Sequence, residues 1–496
     1  MNSLVWFKKD LRTKDHRPLY EALEMGPTVA LFVIEDEWVK GFEYSDIHAQ
    51  FLTQSLTELK SQLDVLNVPF FVLTGHAEQA ISHVKKTFNF DQIISHQETG
   101  LYWTYQRDLR VKSWCKENAV EWKEYQQFAV IRRLKDRDQW NKLRAKVVNT
   151  QLCPHPKPQR PLNISARQEG LNYNTVKQLQ PGGRTAALDL LTSFLSHRGE
   201  NYSKQMSSPV TAFDSCSRLS PHITWGTVSL SEITYELKKQ KAKQLSKNWY
   251  RSLKSFESRL WWHCHFIQKL ESEPEIEFNN INPGFDGMRE SEFNDEYFEA
   301  WKKGETGYPI IDACMRALKQ HGWINFRMRA MLVSFASYHL WLHWQKPAQF
   351  LSKYFVDFEP GIHFSQFQMQ SGVTGINSIR IYSPKKQSLD QDPEGQFIKS
   401  YCPELEGLDS KYIHEVEETP PMLLTLSGVK LGENYPYPIV DHKLSYNLAK
   451  KRVFEWRSKP EVKSIARGVY QKHGSRKNSH FPTQPRKAFG NLKHGS

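Results

Sequence analysis

What the chain lacks narrows it first. Its six cysteines, at 115, 153, 216, 264, 314 and 402, are scattered through 496 residues without one Cys-x-x-Cys pair. That spacing signals neither a disulfide framework nor a zinc or iron-sulfur cluster, and reduced thiols are expected. No apolar run approaches the roughly 20 residues a membrane span needs. Met1-Asn2-Ser3-Leu4-Val5-Trp6-Phe7-Lys8-Lys9 reaches charge too soon for a signal-peptide core. The two absences argue against a membrane protein and predict a cytoplasmic one. No Gly-x-Gly-x-x-Gly follows the first apolar run; Lys8-Lys9-Asp10-Leu11-Arg12 stands there instead. The usual phosphate cradle of a sheet-based dehydrogenase is therefore missing. Acidic residues are absent after Glu461, where Lys472, Arg476, Lys477, Arg486, Lys487 and Lys493 form a basic end.

What is present points to two large domains, since a chain of this length exceeds one ordinary core. Within residues 1–125, the apolar runs Leu4 to Phe7, Val29 to Ile34, Phe70 to Leu73, Ile93 to Ser95 and Val120 to Tyr125 alternate with helical patterns at Ala49 to Leu66, Ala77 to Phe88 and Tyr102 to Cys115. Strand and helix in turn predict an α/β domain built on a doubly wound parallel sheet. Residues 126–184 contain Cys153-Pro154-His155-Pro156-Lys157-Pro158 and Pro181-Gly182-Gly183 and read as a connector. Residues 185–470 read as an all-helical domain, and 471–496 as a flexible basic tail. The excess of 67 Lys+Arg over 54 Asp+Glu gives a net charge of +13, a balance that favours a polyanionic partner.

Two stretches carry chemistry. Cys216-Ser217-Arg218-Leu219-Ser220-Pro221-His222 sets hydroxyls ahead of a proline suited to a first helical turn, where backbone N–H groups meet phosphate; alone, it is equally a helix cap. Trp323-Ile324-Asn325-Phe326-Arg327-Met328-Arg329, with Asp357-Phe358-Glu359-Pro360-Gly361-Ile362-His363 downstream, offers a guanidinium and a carboxylate that can pair beside an anionic ring. Isolated residues of these types more often form structural ion pairs. The members of His263-Cys264-His265 point to different faces of a helix, so no metal is expected there.

With Thr306-Gly307-Tyr308-Pro309-Ile310-Ile311-Asp312-Ala313-Cys314-Met315-Arg316, these stretches resemble the flavin-binding helical domain of the photolyase and cryptochrome family. Val5-Trp6-Phe7-Lys8-Lys9-Asp10-Leu11-Arg12 resembles the opening of that family's antenna domain, and Arg380-Ile381-Tyr382-Ser383-Pro384 and Tyr437-Pro438-Ile439-Val440-Asp441-His442-Lys443 extend the likeness to nearly the whole chain. It looks like a divergent, compact bacterial branch, distinct from the iron-sulfur branch.

The resemblance implies a Rossmann-like antenna domain followed by an all-α FAD-binding domain, with FAD as cofactor and room for a second antenna chromophore beyond the strand ends. It implies damaged DNA as partner and a monomer. Tyr202, Ser217, Leu219 and Ser220 would contact FAD, with Cys216 where the family has Thr. Arg329, Asp357, Glu359 and His363 would flank the flavin. Glu359 replaces an Asp, and His363 replaces an Asn and could donate a proton or stabilise the reduced ring. Trp301 and Trp344 stand where the family carries electrons inward from the surface, but Phe367 in the ring-proximal place breaks that wire, so photoreduction would use another aromatic route, through Trp341, Tyr338 or Trp261, or be slow. Arg259, Trp262, Asn325, Arg327 and Met369 would face the lesion, Arg259 standing where the family has Glu. The activity implied is that blue light excites reduced FAD, which splits a cyclobutane pyrimidine dimer by lending it an electron, with Trp262, Arg329, Asp357 and His363 as the catalytic set. The alternative is a cryptochrome-type photoreceptor signalling through flavin redox change without repair.

Overall fold

The computed structural model describes residues 1–148 and 151–475. Five short strands, β1 (Ser3–Phe7), β2 (Thr28–Glu35), β3 (Phe70–Gly75), β4 (Gln92–His96) and β5 (Glu121–Tyr125), form one sheet in the order β3-β2-β1-β4-β5. Every pairing is parallel, with Val5 opposite Ala30 on one side and Ile94 on the other. Successive side chains leave opposite faces of a strand, so each face needs its own helical cover. Val5, Phe7, Ala30, Phe32 and Ile34 pack under α1 (Arg17–Met25) and α2 (Asp46–Val65), whereas Leu4, Trp6, Val29, Leu31 and Val33 pack under α3 (Ala77–Thr87) and α4 (Tyr102–Glu117). This is the doubly wound arrangement, and its order reverses at β1, opening a crevice beyond the ends of β1 and β4.

The connector begins with α5 (Trp140–Val148) and then runs back over the sheet. Val72 of β3 exchanges backbone hydrogen bonds with Arg167 and Glu169, and the Gln159 side-chain amide ties Thr28 to Asn67. An edge strand with unpaired backbone groups is thereby covered.

The remainder is helical. The elements that place the site are α6 (Arg184–Ser196), α7 (Lys247–Ser272), α8 (Pro309–His321), α9 (Phe326–Ser334), α10 (Pro360–Gln370), α11 (His442–Ser458) and α12 (Pro460–His473). The last helix carries ordered structure past residue 470: Lys472 Nζ and His473 Nε2 lie 2.8 and 2.5 Å from Glu273. Arg476, Lys477, Arg486, Lys487 and Lys493 of the basic end lie outside the described residues. No described helix is long and apolar enough to cross a membrane.

Candidate active site

Helix α7 is the scaffold. Its 26 residues contain no Gly or Pro, and the Ser246 hydroxyl caps it by accepting from the Trp249 N–H at 3.1 Å. The Ser252 hydroxyl donates to the Glu200 carbonyl at 2.8 Å, pinning the Tyr202 turn to one flank of the helix. On the other flank α10 crosses at Gly361, where a Cβ would lie 2.6 Å from the Ile267 Cα. Only glycine permits that approach, which fixes the spacing between Trp262 on α7 and His363 on α10.

The Cys216–Leu219 loop is held from behind by Arg198, which donates to the Asp214 carbonyl at 2.6 Å and the Cys216 carbonyl at 2.7 Å. Arg218 adopts a left-handed φ of 59° and lays its guanidinium 4.2 Å over Trp323 and 4.8 Å over Phe213. Burial lowers the Arg218 pKa to about 10, an effect opposed by Cys216 and Asp357 and reinforced by Arg329 and Arg198. The Cys216 thiol is pushed up to about 12 by burial despite the charges of Arg218, Arg198, Arg259 and Arg329 around it. It is neutral and a weak donor. Tyr202 packs between Phe194 and Phe256, its phenol raised to about 12 by burial, and Arg259 hydrogen-bonds to it. Ser217 and Ser220 are half-buried and Leu219 is buried.

Arg329 and Asp357 form a two-pronged pair, Nη1 to Oδ1 at 3.0 Å and Nη2 to Oδ2 at 2.9 Å, and Arg329 Nε donates to the Ile324 carbonyl at 2.7 Å. Four guanidiniums thus gather around Cys216 with Asp357 as the paired carboxylate. Nearby Arg218 Nε, Arg327 Nε and Ser215 Oγ are buried without hydrogen-bond partners. Surplus cation and unused donors fit a diphosphate-bearing group.

The remaining predicted site residues fall in different places. His363 is buried against Phe358 and Phe367, and its Nε2 lies 2.8 Å from the Ala348 carbonyl. Burial lowers its pKa to about 4, so at neutral pH the ring is uncharged and its Nε2–H is donated to that carbonyl. Glu359 turns from Arg329 toward the α/β domain. It borders a small pocket shared with Lys9, Gln97, Thr99 and Arg132, and its Oε1 is unpartnered. Trp301 is fully buried and so supplies no surface end to an electron path. Trp344, also buried, donates its Nε1–H to Asn280 Oδ1 at 2.7 Å.

Of the residues that the resemblance assigns to a lesion, Trp262 and Met369 are half-buried, and Arg259 is exposed. Asn325 is only 2% exposed and spends its amide on the Met206 and Ser207 carbonyls at 3.1 and 2.8 Å. Phe326, 50% exposed, takes the outer position instead. Arg327 reaches Gln387 Oε1 at 3.2 Å. His265 hydrogen-bonds with Arg137 while His263 packs edge-on to Phe128, so the two imidazoles do diverge. Among the described residues, the one group of metal-type side chains is Asp10, His16 and His96. His16 Nδ1 accepts from the Leu19 N–H, so its Nε2 donates to Asp10 Oδ2 at 2.8 Å, and His96 Nδ1 lies 2.7 Å from the same oxygen. A hydrogen-bonded structural role accounts for that cluster.

The crevice beyond the strand ends is a pocket walled by Trp6, Lys8, Trp38, Trp103, Trp225, Glu43 and Arg107. Arg107 is already neutralised by Glu35, Glu98 and Asp108 at 3.0, 2.8 and 2.7 Å. The walls combine indole faces with the ammonium of Lys8, whose Nζ is buried without a hydrogen-bond partner.

Two family models match in sequence: that of DNA photolyase over residues 3–133, and that of the FAD binding domain of DNA photolyase over residues 256–455. The chain belongs to the photolyase and cryptochrome family. It is 27% identical to the deoxyribodipyrimidine photo-lyase of Agrobacterium fabrum across 88% of this chain and 95% of that one. It is equally 27% identical to the cryptochrome DASH of Synechocystis sp., across 90% and 97%. A solved bacterial class III photolyase from Agrobacterium tumefaciens superposes with a TM-score of 0.79 at 25% identity, covering 92% of this chain and 98% of that one. Like other photolyase-family chains, this one carries the FAD-binding domain, and the guanidinium cluster lies within or just ahead of the matched segment.

Proposed function

We propose that the chain is a blue-light-driven DNA photolyase that splits cyclobutane pyrimidine dimers, acting as a cytoplasmic monomer. The observation that carries the reading is the two-pronged Arg329–Asp357 pair beside the surplus of guanidinium, one helix away from the half-buried Trp262. Bound reduced FAD supplies, on excitation, the electron that opens the dimer. Tyr202, Ser217, Leu219, Ser220 and Arg218 would hold its diphosphate. Arg329, with a fixed charge that Asp357 keeps in place, would stabilise negative charge on the ring. Phe355, Phe358 and Phe367 exclude water from that side. Trp262 offers a face for a flipped-out base, with Phe326 and Met369 beside it, and Arg259 offers donors to its carbonyls. The six cysteines are all free, in keeping with a reducing compartment. The tryptophan-lined crevice would take a second, light-harvesting chromophore.

A cryptochrome-type photoreceptor is the second reading. It is favoured by Arg259, a donor-only group where the family places an acid, and by the equal likeness to a cryptochrome DASH. Blue-light repair of a defined thymine dimer by the purified protein, on single-stranded and duplex DNA, separates the two. Dimer loss in light and none in the dark is expected. Flavin bleaching with the dimer intact on both strand forms would favour the photoreceptor.

A further inference from the structure

Neither tryptophan placed by resemblance on an electron path touches another indole. Trp301 packs against Phe298 and Phe350 with ring centroids 6.1 and 6.0 Å apart, and Trp344 against Phe364 at 6.2 Å. Phenylalanine is far harder to oxidise than indole, so these contacts offer no hopping site. Elsewhere three indoles touch in series. Trp262 meets Trp261 edge-to-face at 4.8 Å and 88°, and Trp261 meets Trp140 of α5 at 5.3 Å and 74°. Among the described residues the other indole contacts are the separate pairs Trp6–Trp122 and Trp38–Trp225. The series begins on α7, the helix that brings Arg259 to Tyr202 and packs on α10 at Gly361.

The environment gives the series a direction. The Arg137 guanidinium sits 4.5 Å over the Trp140 ring, which is fully buried with an unpartnered Nε1. A radical cation there would lie beneath a fixed cation and would have no acceptor for its indole proton. Trp261 is half-buried, so water reaches it; its Nε1–H donates to Asn141 Oδ1 at 3.1 Å, and its ring stacks on His265 at 5.2 Å and 12°.

We propose that Trp262 and Trp261 form an electron relay that serves the flavin from the α7 side, with Trp140 as its insulated end. The proposal rests on the flavin reading above. One electron leaves Trp262 for the photoexcited flavin, which is the oxidant. The Trp262 radical cation takes an electron from Trp261. The Trp261 radical cation loses its indole proton to water and becomes a neutral radical. A dissolved thiol then returns one hydrogen atom, restoring Trp261 and leaving a thiyl radical.

The test uses the full-length FAD-loaded protein under blue light with dithiothreitol, followed by transient absorption and electron paramagnetic resonance of the tryptophan radical. Trp261→Phe is expected to lose the long-lived radical and light-driven flavin reduction, while keeping its FAD content and the repair activity of chemically reduced enzyme. Trp261→Tyr, which restores an oxidisable ring, recovers part of the signal, and Trp140→Phe behaves as wild type. A long-lived radical that persists in Trp261→Phe, or that disappears in Trp344→Phe, overturns the relay. Protein that takes up no FAD overturns the flavin reading and the relay together, whereas photoreduction through Trp261 without repair upholds the relay and removes only the photolyase activity.

Discussion

Replacing Glu359 by Gln removes one titratable group from the junction of the two domains and keeps its shape. The side chain is buried, with an overall exposure of 5%, and Oε1 has no partner. Burial lifts its pKa from 4.5 to about 7, opposed by Lys9 and reinforced by Glu98. The folded chain therefore holds a proton that the unfolded chain has already released. The contribution of Glu359 to stability falls as pH climbs from 4.5 through about 7, and the loss is complete above that range. The gap corresponds to about 3 kcal/mol. Urea unfolding of wild type and Glu359→Gln across that range should show nearly equal stabilities at the acid end and a variant more stable by up to about 3 kcal/mol at the alkaline end. Glu35 and Glu277, also raised to about 7 by burial, steepen both curves alike, so the difference isolates Glu359. Two parallel curves would mean that the carboxyl ionises as readily in the fold as out of it, and that burial does not hold the proton on Glu359.

Gly361→Ala pushes a Cβ to 2.6 Å from the Ile267 backbone; a loss of at least about 1–3 kcal/mol is expected from overpacking, and an unchanged urea midpoint would show that α7 and α10 can part freely. Asp357→Asn leaves Arg329 with neutral acceptors only. A cost of about 2 kcal/mol is expected, read from denaturant midpoints against the double variant with Arg329→Gln, in which the second change should add little. Trp262→Ala should weaken binding of a dimer-containing oligonucleotide by about 1–3 kcal/mol, the worth of one stacked base, with FAD content unchanged; equal anisotropy titrations would remove Trp262 from the lesion site.

The α/β domain was legible because a parallel sheet buried on both faces writes its strands as short apolar runs, and all five runs named from the sequence became strands within a residue or two. Helix α1 was not, since its cap is the ring nitrogen of His16 and not one of the short polar side chains that mark a helix start. In the site, Arg329 and Asp357 were readable as a pair through the resemblance, since charge alone would equally have allowed Arg327 or Glu359. The directions of Asn325 and Glu359 were not readable. Which of Asn325 and Phe326 faces outward is set by the rotation of α9 as it leaves the Ile324 turn, and Glu359 turns toward Lys9 because Pro360 starts a new helix immediately after it. The contact between Trp140 and Trp261 depends on how the connector folds back over α7, which no local pattern encodes.

On the proposed reading, this chain holds FAD where its excited electron reaches a pyrimidine dimer. Gently purified protein, with its flavin chemically reduced, should clear a thymine-dimer oligonucleotide under blue light and leave it untouched in the dark. Protein that retains reduced FAD yet leaves the dimer intact through prolonged illumination would not be a photolyase for this lesion.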